Sequence, residues 1–534
     1  RASIDLVGRI PTADELRAFL ADAAPDRRQK LVDRLLASPE HDMHLARAWE
    51  AILLGNETKN RVVDRGAFRR FLVERFAKNQ PWDALVRDIV TAEGQTSVGG
   101  PGGAMAFVDD EDRGAEEKAA SIDGATNYFL RFAKTPADLA GTTSKAFLGV
   151  QIQCAQCHDH KSEKWKQDDF RAFASALLHV QARPVSGDKG EIRVFEIHDA
   201  ARVPRRLLKD EALAKIADTP PRALDGTPLG DGEEARPALA KWMTSKDNPY
   251  FARAMVNRVW AEMIGEGFFE PVDDMRTSNP PVMPEVLDAL TAHFIETGFD
   301  LDDLYRTIAS TRAYARSVAP AKGNLRDALF SRSALRPLSS DALLDSYFAA
   351  TGMDDVLAEK VPARAEVIKA QIRRRLGFVF DDDSEANGDA GGGTMQQALF
   401  EMNGVLTAAA TSFAEGSTLA DVVRKGDDAA AVDELWLRTL SRHPTAEELA
   451  KAQAFLKSDA AADGAPPEKG NADARNAGKA LKAAKKGKGG KSAKGGATTL
   501  PPAVTRSFAQ DARERAYEDL FWALLNSSEL YFRR

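Results

Sequence analysis

The two cysteines of this 534-residue chain lie in one short motif, Cys154-Ala155-Gln156-Cys157-His158. The pattern C-x-x-C-H is the attachment sequence of c-type haem. Two intervening residues place the sulfurs about one helical turn apart, so that each can form a thioether with one haem vinyl group. The next imidazole can then reach the iron. We therefore predict one covalent haem c, attached through Cys154 and Cys157 and ligated on its proximal side by His158.

Two other interpretations of the motif stay open. Cys154 and Cys157 could form a disulfide or a thiol pair, with the neighbouring histidine incidental. They could also bind zinc together with His158 or His160. A zinc cluster normally takes two ligands from a distant second segment, and the chain has no further cysteine to supply them. We therefore favour haem, and keep His160 as a ligand only for a metal site without haem.

The sixth ligand of the iron is less evident from the sequence. His160 follows His158 too closely to reach the opposite face of the same haem. His179 follows one helix later and is the candidate distal ligand, while Met105 lies in a long upstream loop. Without a sixth ligand, a five-coordinate iron would allow ligand binding or peroxide chemistry as well as electron transfer.

Helical elements must position this motif. The spacing of apolar residues predicts helices that begin near Pro11 and Pro25, the second of which ends at Ser38-Pro39. Another helix begins at Thr135-Pro136 and runs towards the motif, and the alternation in 191–197 predicts a short strand. The predicted fold class is mainly α, with two helical domains, long irregular loops and a small amount of β.

Composition divides the chain into three parts. Residues 1–180 form a helical domain that contains the motif, 181–234 an irregular connector with the short strand, and 235–534 a second helical domain. Within the second domain, 459–503 consists largely of Ala, Gly and Lys, and we predict a disordered insertion there. The Gly-rich loop in 93–122 is expected to be flexible unless a ligand or partner orders it.

The overall composition excludes several classes of protein. With 43% hydrophobic residues, the chain can form cores without disulfides. The chain has 73 basic and 80 acidic residues and thus a net charge of −7, so we expect no chain-wide interaction with nucleic acid. The apolar runs are short, so we expect no transmembrane segment.

The predicted location follows from the haem interpretation. Covalent haem attachment takes place on the outer side of the cytoplasmic membrane, so we expect a periplasmic or cell-surface protein. The sequence begins at Arg1, without an initiator Met or the apolar core of a signal peptide. We therefore expect a fragment of a longer precursor, from which a targeting segment is missing.

Two other groups of polar residues lie far from the motif in sequence. Asp273 and Asp274 are of a type that binds calcium, but they lack EF-hand spacing, and we expect a solvated acidic loop. Asn257 and Arg258 interrupt an otherwise apolar helical segment. We expect them to form a hydrogen-bonding network in the core.

Several segments together resemble one family of proteins. They include Ile4-Asp5-Leu6-Val7-Gly8-Arg9-Ile10-Pro11-Thr12, Leu35-Leu36-Ala37-Ser38-Pro39, the motif with its flanks from Phe147 to Lys161, Val256-Asn257-Arg258-Val259-Trp260, Gly265-Glu266-Gly267, Gln397-Ala398-Leu399-Phe400-Glu401-Met402-Asn403 and Leu524-Leu525-Asn526-Ser527. They resemble the planctomycete cytochrome c-like proteins, in which domain of unknown function 1549 is fused to domain of unknown function 1553. The sequence departs from many members at Ser162-Glu163-Lys164-Trp165 and at Asp274-Met275-Arg276.

The resemblance implies a large secreted or surface protein with a link to polysaccharide metabolism. Together with the motif, it favours a haem c electron-transfer protein, with a redox partner protein and a carbohydrate as the substrate that is oxidised. Two other functions stay open: a structural or interaction protein of the cell surface without haem, and a metal-dependent hydrolase acting on glycans.

Overall fold

A computed structural model describes most of the chain. It covers residues 1–55, 62–96, 123–133, 135–160, 163–186, 192–318, 330–380, 405–413, 416–461, 507, 509 and 511–533. Met105, most of the loop in 93–122 and nearly all of the insertion in 459–503 lie outside the described residues.

The protein is mainly α-helical, which confirms the predicted fold class. Up to residue 337 the described α-helices are α1 (Ala2–Val7), α2 (Ala13–Ala21), α3 (Arg27–Leu36), α4 (Pro39–Leu54), α5 (Arg65–Phe76), α6 (Trp82–Val90), α7 (Asn127–Arg131), α8 (Pro136–Thr143), α9 (Gln167–Leu178), α10 (Glu211–Ala217), α11 (Ala235–Met243), α12 (Phe251–Ile264), α13 (Pro284–Glu296) and α14 (Leu301–Ala309). From residue 338 they are α15 (Ser340–Thr351), α16 (Met353–Lys360), α17 (Ala365–Phe380), α18 (Val405–Ala410), α19 (Thr418–Lys425), α20 (Asp428–Leu440), α21 (Ala446–Ala461), α22 (Ala512–Leu525) and α23 (Ser528–Tyr531).

Local sequence determines several of these helix ends. Ser38 is the N-cap of α4, and its hydroxyl accepts a hydrogen bond from the amide of His41, while Pro39 occupies the first helical position. The predicted helix end at Ser38-Pro39 is therefore confirmed, and the next helix starts there at once. Gly55 ends α4 with φ 64°, a conformation that favours glycine.

Two small antiparallel sheets accompany the helices. Strands β1 (Gly94–Gln95), β2 (Val180–Ser186) and β3 (Ile192–Asp199) pair in the order β1-β3-β2. The strand predicted from the alternation in 191–197 is β3. Strand β4 (Arg336–Pro337) pairs with β5 (Phe532–Arg533), near the end of the chain.

The chain forms two compact units whose limits differ from the predicted domains. The first unit contains Arg1–Arg9, Ala21–Pro337 and strand β5, and the second contains Ile10–Leu20 and Leu338–Tyr531. The predicted boundary near residue 234 therefore falls inside the first unit. The reason is packing: one hydrophobic core extends from Leu6 to Phe330 and includes residues of the connector.

The second unit is a helical bundle with a few buried polar contacts. The amide of Ile10 donates to the hydroxyl of Ser346, and the hydroxyl of Tyr347 lies 2.6 Å from that of Tyr531. Among the described residues of the whole chain, no helix is both long and apolar enough to cross a membrane.

Candidate functional site

The motif follows a local irregularity of the helical backbone. Helix α8 continues into a π-helical turn, Ser144–Leu148, which Gly149 ends in the left-handed conformation at φ 64°. A side chain at Gly149 would meet Met275, because a Cβ there would lie 2.7 Å from the Cε of Met275. The motif then begins in a short 3-10 helix, Gln153–Gln156.

Both thiols of the motif lie on the surface, one in the 3-10 helix and the other just after it. Ile152 and Ala155 are fully buried, whereas Cys154 and Cys157 are exposed and carry free thiols. Cys157 is the C-cap of the 3-10 helix. Both sulfurs are therefore accessible to a ligand within one short segment of the chain.

The ring of His158 is oriented for coordination through one nitrogen. His158 is exposed, and its Nδ1 lies 2.8 Å from the carbonyl oxygen of Asp159. Because a carbonyl only accepts, Nδ1 carries the proton and donates it, which leaves a lone pair on Nε2. The carboxylate of Asp159 in turn accepts from the amide of Gln167 at 2.9 Å, which ties the motif to the start of α9.

His160 lies in a different environment from His158. It is half-buried, and its backbone N–H donates to the carbonyl of Trp165 at 2.8 Å. Within the described part of the chain, no three His, Cys, Asp or Glu side chains converge as a metal site would require. The structure therefore does not bring His160 together with the two cysteines as a ligand set.

The structure also separates His179 from the motif. His179 caps the far end of α9, whose first residue contacts Asp159. The 12 residues of this helix span about 18 Å. The Nδ1 of His179 lies 2.7 Å from the carbonyl oxygen of Ala200, to which it donates. His179 is thus placed about one helix length from His158, the residue that it was predicted to face across the iron.

A loop that is distant in sequence lies against the residues that precede the motif. The amide of Met275 donates to the carbonyl of Gly149 at 2.8 Å. The carboxylate of Asp273 accepts a hydrogen bond from the side-chain nitrogen Nε2 of Gln151 at 2.9 Å and forms an ion pair with Lys145 at 3.3 Å. Sequence reasoning missed these contacts, because nothing in the local pattern of either segment indicates the other.

Glu163, which follows the motif in sequence, binds the same loop. Its carboxylate accepts from the amides of Thr277 and Ser278 and from the hydroxyl of Ser278. These hydrogen bonds, led by the one from the hydroxyl, lower the pKa of Glu163. The segment Ser162-Glu163-Lys164-Trp165, which departs from the family pattern, therefore contains a specific contact.

Asp274 is buried, which differs from the solvated acidic loop expected from the sequence. Its residue surface is 8% exposed, and its carboxylate forms an ion pair with Arg276 at 3.0 Å. Burial raises the pKa of Asp274, and the charges of Asp273 and Glu163 add to the rise against the opposing effect of Arg276.

Asn257 fixes the start of this loop. It is fully buried on α12, and its side-chain oxygen accepts from the amides of Phe268 and Phe269. Its side-chain nitrogen donates to the carbonyls of Phe269 and Val272. The predicted core hydrogen-bonding network at Asn257 is confirmed, and its structural role is to hold this loop.

A cavity lies elsewhere in the first unit. It has a volume of about 260 Å³ and is lined by Ile264, Glu266, Val318, Phe330, Arg332, Ser333, Ala334 and Leu335. None of these residues belongs to the motif.

Comparison with protein families gives two matches in tandem. The family described as Protein of unknown function (DUF1549), PSCyt2, matches residues 1–182. The family described as Protein of unknown function (DUF1553), PSD1, matches residues 235–384. Comparisons with curated proteins and with solved structures found no similar protein. Because the two matches follow one another in the order that the resemblance implies, the chain belongs to the family in which DUF1549 is fused to DUF1553.

Proposed function

We propose that the chain is an extracytoplasmic electron-transfer protein that carries one covalent haem c. Cys154 and Cys157 attach the haem, and His158 ligates the iron through Nε2. The observation that carries this proposal is the motif itself: two exposed free thiols in one short segment, followed by an imidazole whose Nδ1 donates to the carbonyl of Asp159.

The described residues fit this group through their chemistry. Each thiol adds its S–H across one vinyl double bond, so that sulfur bonds to one carbon, the hydrogen goes to the other, and no electron is exchanged. The hydrogen bond from Nδ1 of His158 fixes the orientation of the ring. When bound, haem c supplies one-electron chemistry between Fe(III) and Fe(II).

The exposure of the motif favours electron transfer over chemistry in a closed pocket. Cys154, Cys157 and His158 are all exposed, so a haem attached there has an edge accessible to a partner protein. Exposure to water stabilises the more highly charged Fe(III) state, and we expect a low reduction potential. A redox partner protein and a carbohydrate as electron donor belong to the same proposal, on the basis of the family resemblance.

Haem incorporation tests the proposal directly. The chain is expressed together with the haem c maturation machinery, and the purified protein is examined by its absorption spectrum in alkaline pyridine. We expect one covalent haem c per chain, and its loss in a variant with both Cys154→Ala and Cys157→Ala. Without pyridine, the absorption spectrum of His158→Ala should show the loss of proximal ligation, whereas His179→Ala is the matched control and should keep the wild-type spectrum. A wild-type protein without haem would refute the proposal.

A further inference from the structure

The segment Asp273–Ser278 belongs to the part of the chain matched by the second family, yet it contacts residues of the first match that flank the motif. Three of its contacts are with the residues that lead into the motif. Asp273 binds the side chains of Gln151 and Lys145, and the amide of Met275 donates to the carbonyl of Gly149. These contacts therefore bind the segment to residues that precede the cysteines in sequence.

One carboxylate that follows the motif in sequence, that of Glu163, also binds the segment. Glu163 accepts hydrogen bonds from Thr277 and Ser278, which are 114 and 115 residues away in sequence. Gln151, which precedes Cys154–His158 in sequence, and Glu163, which follows it, therefore both bind the segment.

We propose that Asp273–Ser278 forms a wall of the haem site and that Glu163 is the positioning residue that holds it there. In this position the segment sets the electrostatic environment of the iron. The inference rests on the proposed function. It also gives a physical reason for the fusion of the two families, since the second completes the site of the first.

The charges of the segment determine the direction of its effect. Asp273 and Asp274 carry two negative charges, Arg276 carries one positive charge, and the net contribution is negative. A negative charge held near the iron stabilises Fe(III) over Fe(II) and lowers the reduction potential. Release of the segment also moves the carboxylate of Asp273 away from the positive charge of Lys145, which further raises the reduction potential.

Three variants separate the position of the segment from the charge of Glu163. Glu163→Ala removes both the charge and the hydrogen bonds. Glu163→Gln removes the charge but keeps one oxygen that can accept from Ser278. Ser278→Ala weakens the contact with no change of charge. Asp168→Asn is the matched control, because Asp168 is an exposed carboxylate that pairs with Arg171, outside the segment.

The reduction potential is measured by spectroelectrochemistry on the haem-loaded protein. We expect Glu163→Ala to raise the Fe(II)/Fe(III) ratio at a fixed potential about tenfold, which is about 59 mV for one electron. Ser278→Ala should shift the potential in the same direction by less. Glu163→Gln should recover part of the wild-type value, and Asp168→Asn should stay close to the wild type.

Hydrogen exchange of the haem-free protein gives an independent measurement. The amides of Met275, Thr277 and Ser278 should exchange faster in Glu163→Ala than in the wild type, and Glu163→Gln should largely restore their protection. Equal potential shifts in Glu163→Ala and Glu163→Gln would overturn the inference, because charge rather than position would then be responsible. Wild-type potential and exchange in Glu163→Ala would overturn it too, whereas a wild-type protein without haem overturns the proposed function.

Discussion

Arg236, a single buried side chain, connects three segments of the first unit. Its side chain is 1% exposed. One terminal nitrogen donates to the carbonyls of Val90 and Ala92, while Nε and the other terminal nitrogen bind Asp199 and Glu93. A guanidinium serves several acceptors at fixed angles, which the point charge of a lysine does not. Arg236 therefore joins the end of α6 and strand β3 to the start of α11.

Replacement of Arg236 should destabilise the first unit strongly. In Arg236→Met the carboxylate of Asp199, which is 5% exposed, stays buried without a counterion. We expect the free energy of unfolding to fall by about 3–5 kcal/mol, measured by guanidinium unfolding. Lys215→Met is the control, because Lys215 pairs with Glu211 on the surface and its replacement should change stability little. Equal losses in the two variants would contradict this role of Arg236.

Sequence predicts residues of a local motif better than their partners. Cys154, Cys157 and His158 are recognisable because their spacing is itself the signal. The partners of Arg236 lie 37 and 143 residues away, and those of Glu163 lie more than 100 residues away. No local pattern encodes such pairs, since they depend on how the helices pack.

At the scale of elements, Asn257 shows how a helix controls a loop. The residue lies on α12 and satisfies two amides and two carbonyls of the loop that follows. Gly267 lies so close that a Cβ there would meet the carbonyl oxygen of Phe269 at 2.5 Å and Oδ1 of Asn257 at 2.9 Å. The loop is therefore shaped by one side chain and by one glycine.

Loss of the Asn257 side chain should loosen the loop before it unfolds the helix. Asn257→Ala leaves the buried amides of Phe268 and Phe269 without acceptors, at about 1–3 kcal/mol for each buried group. In Asn257→Ala, hydrogen exchange should show that the amides of 268–275 lose protection. Denaturant unfolding should show a lower free energy of unfolding. Asn526→Ala is the control, because the side-chain amide of Asn526 donates a hydrogen bond of 2.8 Å to the carbonyl of Trp522 at a helix end. Unchanged exchange in Asn257→Ala would contradict the role assigned to this side chain.

The start of α21 depends on an ionised carboxylate. Glu448 accepts hydrogen bonds from both terminal nitrogens of Arg442 and from the amide of Thr445, whose hydroxyl accepts from the amide of Glu448 in return. The hydrogen bond with Arg442, followed by the one from Thr445, lowers the pKa of Glu448 to about 2. The contribution of the ionised Glu448 to the free energy of unfolding is thus complete above the ordinary pKa of a glutamate and is lost as the pH falls towards 2.

Glu448→Gln should therefore destabilise the second unit at neutral pH but have little further effect in acid. We expect the difference in the midpoint of denaturant unfolding between the wild type and Glu448→Gln to shrink between pH 4.5 and pH 2.5, because the wild-type carboxylate is being protonated. Glu447→Gln is the neighbouring control, since the side chain of Glu447 is 78% exposed and forms a surface ion pair with Lys451. A difference that is independent of pH would contradict the assignment.

Periodicity predicted the regular helices but not the irregular turns. The end of α3 and the start of α4 follow from Ser38 and Pro39, which act locally. The π-helical turn Ser144–Leu148 was expected as a continuation of the preceding helix. It is stabilised by contacts outside its own sequence, including the bond from the hydroxyl of Ser144 to the carbonyl of Val150 and the approach of Met275 to Gly149.

At the scale of the whole chain, the sequence families and the compact units have different limits. Trp82, from the first family match, lies 6.1 Å from the ring of Phe147 in the same match and 6.4 Å from the ring of Phe251 in the second. Its backbone amide also donates to the carbonyl of Phe299. Composition marks a change at residue 234 because prolines and polar residues precede it, but composition does not report which side chains share a core.

A fragment that ends at the predicted boundary should consequently fail to form a native core. Residues 1–234 retain Trp82 and Asp199 but lose Phe251, Phe299 and Arg236, so aromatic surface becomes exposed and a buried carboxylate loses its partner. We expect weak near-ultraviolet circular dichroism, binding of a hydrophobic dye and no cooperative unfolding. Residues 1–337 keep nearly all of the first unit and should unfold cooperatively. A cooperative transition in 1–234 would show instead that the first family folds independently, because the contacts of Trp82 with the second would then be dispensable.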